Sequence, residues 1–410
     1  MAQVVLFALT TTAMGALGQS TPAVSSLLIQ EIGSPASSGS GEPNLYVSSD
    51  GRTYLSWIES EGERRRALRF AVFNGERWSE PRTIVEGENL LANWADFPSL
   101  VVLPDGSLVA HWLMKGRPDS HAYDINISRS SDGGKTWSKS TVPHRDGTQT
   151  EHGFVSMLPW VNGRVAAFWL DGRTFKEDSH EGHGSSTNEM TLRHTKIDAK
   201  GHVSEDVLLD SRVCDCCQTS VALTAEGPIV VYRDRSEKEI RDISVIRFNK
   251  GRWTEPRTLS PDGWEIQGCP VNGPSVCADG RRVAVAWFTA AKETSRVKVI
   301  FSSDAGATFG RPIQVDEGAP VGRVDVLMLT DGSTLVSWLQ RTATGGEVKV
   351  RRVSPDGSLD KSVTVAASSA SRVSGFPQMA RAGGEIIFAW TDPGTPSKVR
   401  TALGRFVPGR

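Results

Sequence analysis

Three of the five cysteines in this 410-residue chain fall within four consecutive positions, in "RVCDCCQTS" from Arg212 to Ser220. Cys214, Cys216 and Cys217 are followed more than fifty residues later by Cys269, in "IQGCPVNGP", and then by a lone Cys277. Thiolates crowded together suit a thiophilic ion such as copper or zinc, the more so with imidazoles nearby. Two stretches supply imidazoles: "TEHGF" carries His152, and "DGRTFKEDSHEGHGSSTNEM" carries His180 and His183. The spacing C-x-C-C is not a standard zinc-ribbon pattern, and the same thiols could pair as disulfides. A staple from Cys214 or Cys217 to Cys269 closes a loop of about fifty residues, worth roughly 3–4 kcal/mol in the chain-entropy model. Metal binding, disulfide stapling and thiol redox or nucleophilic chemistry all stay open from the residues alone.

A second constellation uses charge. "WLDGRTF" offers Asp171 and Arg173, and "YRDRSEKEIRD" offers Arg233, Asp234 and Arg235. Arg323, Arg372 and Glu151 stand near the starts of other segments. Guanidinium groups converging on one place hold a carboxylate bidentately, and a nearby Asp or Glu can act as acid or base. The expectation is a ligand held by Arg173, Arg233, Arg235, Arg323 and Arg372, with Asp171, Asp234 and Glu151 as catalytic carboxylates. Ordinary loop salt bridges are the competing reading.

The elements that position these residues repeat. "TYLSWIES", "LVAHWLMK", "VAAFWLDG", "PIVVYRDR", "VAVAWFTA", "TLVSWLQR" and "IIFAWTDP" are apolar runs, each carrying one aromatic. Those aromatics are Trp57, Trp112, Trp169, Tyr232, Trp287, Trp338 and Trp390, at intervals of 51 to 63 residues. Ahead of each run lies a short strand with an Asp-Gly, Asn-Gly or Gly-Gly type of turn suited to a hairpin, and two further strands follow. Four antiparallel strands in a repeat of about fifty residues mark a β-propeller blade. The fold class is all-β, a single propeller over residues 25–407 with seven four-stranded blades, six being the alternative. The last repeat lacks its fourth strand, so "SSLLIQEI" near the amino terminus is expected to close the ring.

A net charge of −1 gives no general attraction to nucleic acid, and no apolar stretch of the body is long enough for a membrane span. The stretch "VVLFALTTTAMGALGQS", residues 4–20, resembles the apolar core and cleavage zone of a secretory leader, without a basic start, and residues 1–19 are read as that leader. A disordered amino terminus is the alternative. A secreted or periplasmic monomer is expected.

Two turns are more specific. "SSDGGKTW" and "SSDAGATF" match Ser-x-Asp-x-Gly-x-Thr-Trp, with Phe309 replacing the final Trp in the second. On these turns the chain resembles the sialidase-like Asp-box propellers, and the resemblance implies binding or hydrolysis of acidic glycans. Asp132 and Asp304 belong to the turns and are read as structural. The sialidase Arg-Ile-Pro is missing and the last tyrosine is Tyr232, so an exo-sialidase-like hydrolase would lack that family's late nucleophile. Propeller topology places the cysteine segments, Arg233 and the long histidine loop on one face, where ligands bind, and it expects the four thiols to cluster there. An exported glycan-binding propeller with an Arg/Asp-lined face is the first expectation. A copper- or zinc-binding propeller, or a disulfide-stapled scaffold, is the second.

Overall fold

The computed structural model describes residues 26–407, except residue 63, residues 117–121 and residues 176–188. The expected leader at 1–19, and His180 and His183, lie outside the described residues.

Seven antiparallel sheets form a seven-bladed β-propeller. The innermost strand of each blade neighbours the innermost strand of the next, all the way round the ring. Blade one shows the plan, with strands Ser40–Val47, Thr53–Glu61, Arg65–Phe73 and Arg82–Gly87. Its second strand is buried from Thr53 to Glu59 without alternation, because neighbouring blades cover both faces of the sheet. Apolar side chains accordingly form separate clusters between adjacent blades.

The repeat aromatics sit in these second strands and are buried. A buried indole N–H needs an acceptor, and residues two apart share one face of a strand. Trp57 donates to Glu59 at 2.9 Å, Trp169 to Asp171 at 2.7 Å and Trp338 to Gln340 at 2.9 Å. Trp287 and Tyr232 donate instead to Asp262 and Asp210, at 2.7 and 2.5 Å.

Outer strands are less regular. That of blade two shrinks to a single bridge between Ile127 and Thr141, and that of blade four splits into Arg252–Trp253 and Arg257–Ser260. The turn before Trp137 is held by Asp132, which accepts from Lys135 N, Thr136 N and Thr136 Oγ1 at 3.0, 3.0 and 2.7 Å. Asp304 does the same for Thr308, at 2.8 and 2.6 Å. Gly134 in the first turn has φ +83°, and a Cβ there would stand 2.3 Å from the Phe70 ring.

The ring closes as expected. Ser26–Ile32 pairs antiparallel with Lys398–Val407, Ser26 facing Val407 and Ile32 facing Thr401. It is the outermost strand of blade seven. No helix among the described residues is long and apolar enough to cross a membrane.

Candidate functional site

The outer strand of blade three, Val207–Val213, runs into Cys214, and the innermost strand of blade four begins at Ser220. The six residues between them turn through the interface of the two blades. Their thiols point inward: Cys214, Cys216 and Cys217 are 0%, 6% and 1% exposed, with all three sulfurs within 4.8 Å of one another. Cys214 and Cys217 Sγ are 3.4 Å apart. The backbone of Cys214 donates to Arg233 O at 3.0 Å, and Asn272 N donates to Cys217 Sγ at 3.4 Å. Cys269 packs against the same cluster and its thiol interacts with that of Cys216. Cys277 lies apart, paired in its strand with Ala284.

The thiols are electrostatically unlike. Burial opposes ionisation of Cys214, yet hydrogen bonds from Cys216 and Cys217 and the Arg241 and Arg233 charges hold its thiol well below the usual range. Arg241 Nη1 donates to Cys214 Sγ at 3.3 Å. Burial pushes Cys216 well up, and hydrogen bonding with Cys214, Cys217 and Cys269 adds to the rise; Cys217 is likewise raised, first by burial. All five cysteines are unpaired thiols in the structure.

The arginines named from sequence are mostly engaged within the protein. Arg233 is 2% exposed and donates to Asn272 O, Phe288 O and Arg241 O, at 2.8, 2.7 and 2.5 Å, with its plane over Trp264. Arg235 is buried against Asp215 and Glu239, at 3.2 and 2.9 Å. Arg173 pairs with Asp171 at 2.7 Å and Asp206 at 2.9 Å. Arg323 donates to Ser374 Oγ at 2.7 Å and lies over Trp94, 4.8 Å from the ring centroid. Arg372 is exposed, 5.9 Å from the same ring.

Among the carboxylates, Asp171 is fully buried and taken by Trp169 and Arg173. Asp234 accepts from Ser244 Oγ at 2.8 Å, and burial, aided by Asp210, pushes its carboxyl up to about 6. Glu151 is half-buried beside Tyr123. A cavity of about 470 Å³ runs between the innermost strands, lined among others by Asp96, Phe97, Gln218, Asp325 and Phe376. Trp94 stacks on Phe376 beside it, with centroids 6.0 Å apart and planes at 16°.

His152 does not join the thiols. It stacks on His144, which sequence reading missed because the connection that holds it, "TVPHRDG", has no counterpart in the other repeats. Arg241 was missed too, although it follows Arg235 in the same loop.

By sequence, no protein-family model and no curated protein matches the chain. Among solved structures, a protein of unknown function from Dyadobacter fermentans is similar over 94% of this chain and 99% of that one, at 15% identity and TM-score 0.52. A sialidase from Streptococcus pneumoniae is similar at 13% identity, covering 94% of this chain and 71% of that one, with TM-score 0.45. So is an alpha-L-arabinanase from Penicillium chrysogenum, at 12% identity, 89% and 93% coverage and TM-score 0.49. The Dyadobacter likeness bears on the fold, which it matches nearly end to end.

Proposed function

We propose that the protein binds a thiophilic metal ion, copper(I) or zinc, at the junction of blades three and four. The observation that supports this is the set of three buried sulfurs within 4.8 Å, with Arg241 beside Cys214. Three thiolates satisfy copper(I), and Cys269 is the fourth donor available to a tetrahedral zinc. A disulfide staple would occupy two of these sulfurs and leave the others crowded in an apolar setting. Two buried guanidinium groups, Arg241 and Arg233, offset the negative charge that such a set acquires on losing its protons. Export, read from the amino-terminal stretch, is part of the proposal. The test is metal analysis of purified protein with free-thiol counting under non-reducing conditions. Copper or zinc that co-purifies and is lost in Cys216→Ser supports the reading. Oxidised sulfurs without metal, or a bound-metal content that does not fall in Cys216→Ser, overturn it.

A second reading, an acidic glycan held at the mouth of the central cavity, is favoured by one feature. Arg372 is exposed beside Trp94, where its guanidinium can meet a sugar carboxylate. Asp234 and Glu151 are then the acid–base candidates, since Asp171 is already paired. Binding of acidic glycans by the wild type that falls in Arg372→Ala supports this reading, and no binding on a broad panel of acidic glycans removes it.

A further inference from the structure

We infer a second metal site, for a divalent first-row cation such as zinc or manganese, formed by Asp124, His144 and His152 between blades two and three. Asp124 stands in the strand Tyr123–Ser130 of blade two, and the two histidines flank the connection into blade three, where His152 opens the strand His152–Trp160. One ligand atom from each lies within 4.8 Å of the others.

The imidazoles lie parallel, with centroids 3.7 Å apart and planes at 1°. Their nitrogens therefore fall into two edges. His144 Nε2 and His152 Nδ1 are 3.5 and 4.0 Å from Asp124 Oδ1. His144 Nδ1 and His152 Nε2 are 3.6 and 3.2 Å from Asp146 Oδ2. His152 is fully buried, yet among the described residues neither of its nitrogens has a hydrogen-bond partner, and Asp146 Oδ2 is buried without one as well. Orphaned buried polar groups are costly, and folds rarely keep them without a use.

The two edges are not equivalent. The Asp146 edge already faces a cation, since Arg173 Nη2 is 3.4 Å from Asp146 Oδ2 and its Nε is 2.7 Å from Asp171 Oδ1. The Asp124 edge is open, because the Asp124 side chain is 42% exposed and gives a path from solvent. An ion on that edge has Asp146 behind both imidazoles, the outer carboxylate that fixes the tautomer of metal-bound histidines. The backbone supports that tautomer: Ile125 N donates to His144 Nε2 at 3.4 Å, so Nε2 carries the lone pair and Nδ1 the proton. The ion would take over this lone pair from a long hydrogen bond.

Charge points the same way. Among the described residues, Asp124, Asp146, Asp171 and Asp206 face only Arg173 and Arg193, an excess of two negative charges that one divalent cation balances. Imidazole and carboxylate donors suit a borderline cation, in contrast to the thiols across blade three.

Cobalt(II) separates the two sites, because thiolate ligation gives intense charge-transfer absorption and nitrogen–oxygen ligation gives weak visible bands alone. Titration of purified, chelator-treated protein should show one cobalt with the weak bands. Asp124→Asn should weaken it at least tenfold, and Cys216→Ser should leave it unchanged. His152→Ala should abolish it; that side chain is buried and its replacement risks the fold, so Asp124→Asn, at an exposed position, carries the decision. Weak-band cobalt undiminished in Asp124→Asn, or a spectrum that is all thiolate charge transfer and vanishes in Cys216→Ser, overturns the inference. A wild-type spectrum with the weak bands and no thiolate bands would count against the first site and leave this one standing.

Discussion

Trp169 Nε1 donates to Asp171 Oδ2 at 2.7 Å, and Arg173 completes the carboxylate from the other side. The same two-residue step joins Trp57 to Glu59 and Trp338 to Gln340, so in three blades the residue after next serves the repeat aromatic. Asp171→Ala leaves a buried indole N–H without its acceptor and takes from Arg173 the nearer of its carboxylates while Asp206 remains, a loss of about 3 kcal/mol, at the lower end for breaking a buried pair. Asp171→Asn, which keeps an acceptor, should lose less. Urea unfolding of both variants checks this, and an alanine variant as stable as the wild type refutes it.

The pH dependence of that pairing has a definite sign. Burial raises the Asp171 carboxyl, but Arg173, His152 and Trp169 outweigh it and hold the group below its usual range. Its contribution is therefore present above the unfolded carboxylate pKa and is lost as pH falls through the lower folded value. The wild type should lose more stability on acidification through this window than Asp171→Asn does.

Arg233 should behave as a clamp between blades four and five. Its donors reach three backbone carbonyls, two of them beyond its own blade. Charged hydrogen bonds contribute about 1.5–3 kcal/mol each when their loss leaves a buried acceptor unpaired. Arg233→Ala should lower the unfolding midpoint sharply, and Arg233→Lys should recover only part of it. A normal midpoint with lost glycan binding would instead return the residue to a ligand site.

These cases show what was legible in the chain. The seven aromatics and their turn residues sufficed for blade number and ring closure, since an apolar second strand is a local, repeated demand. The crowding of Cys214, Cys216 and Cys217 was equally local. The placement of Arg233 was not, because its acceptors Asn272 O and Phe288 O are backbone atoms that any residue supplies. The pairing of Asp171 with Trp169 was readable in principle, by aligning the repeats and comparing the residues two positions past each tryptophan. His144 had no such signal, since its partners come from the strand before it and the strand after the connection.

Removing the strand Ser26–Ile32 should open the ring. The deletion exposes the edge of Lys398–Val407 and removes Leu27, whose burial alone is worth roughly 1.5–3 kcal/mol. Lower stability and concentration-dependent association in sedimentation are expected. An equally stable monomer would mean that the pairing is dispensable.

Three buried histidines should make the protein acid-sensitive. Burial depresses His111 and His194 to about 3 and His144 to about 4. Between these values and the unfolded pKa of about 6.5 the unfolded chain binds more protons, so stability falls as pH drops through that window, by about 1.4 kcal/mol for each unit of depression. His194→Phe, stacked on Phe168 at 4.6 Å, should flatten the fall in denaturant midpoints between neutral and acid pH. An unchanged slope would show that this ring is already protonated in the native state.

The pairing of Ser26–Ile32 with Lys398–Val407 also imposes a timetable. The seventh sheet holds both the earliest and the latest described strands, so a chain emerging from the ribosome at roughly 5–20 residues per second has made six blades before the seventh can close. Throughout that interval the early strand waits with its ladder unpaired, and the arc of finished blades has two open flanks. The entropy of joining ends so distant grows only logarithmically with length, so the final state loses little by the arrangement. The delay, and the aggregation it invites, falls on the nascent chain, which must be guarded until its last strand appears.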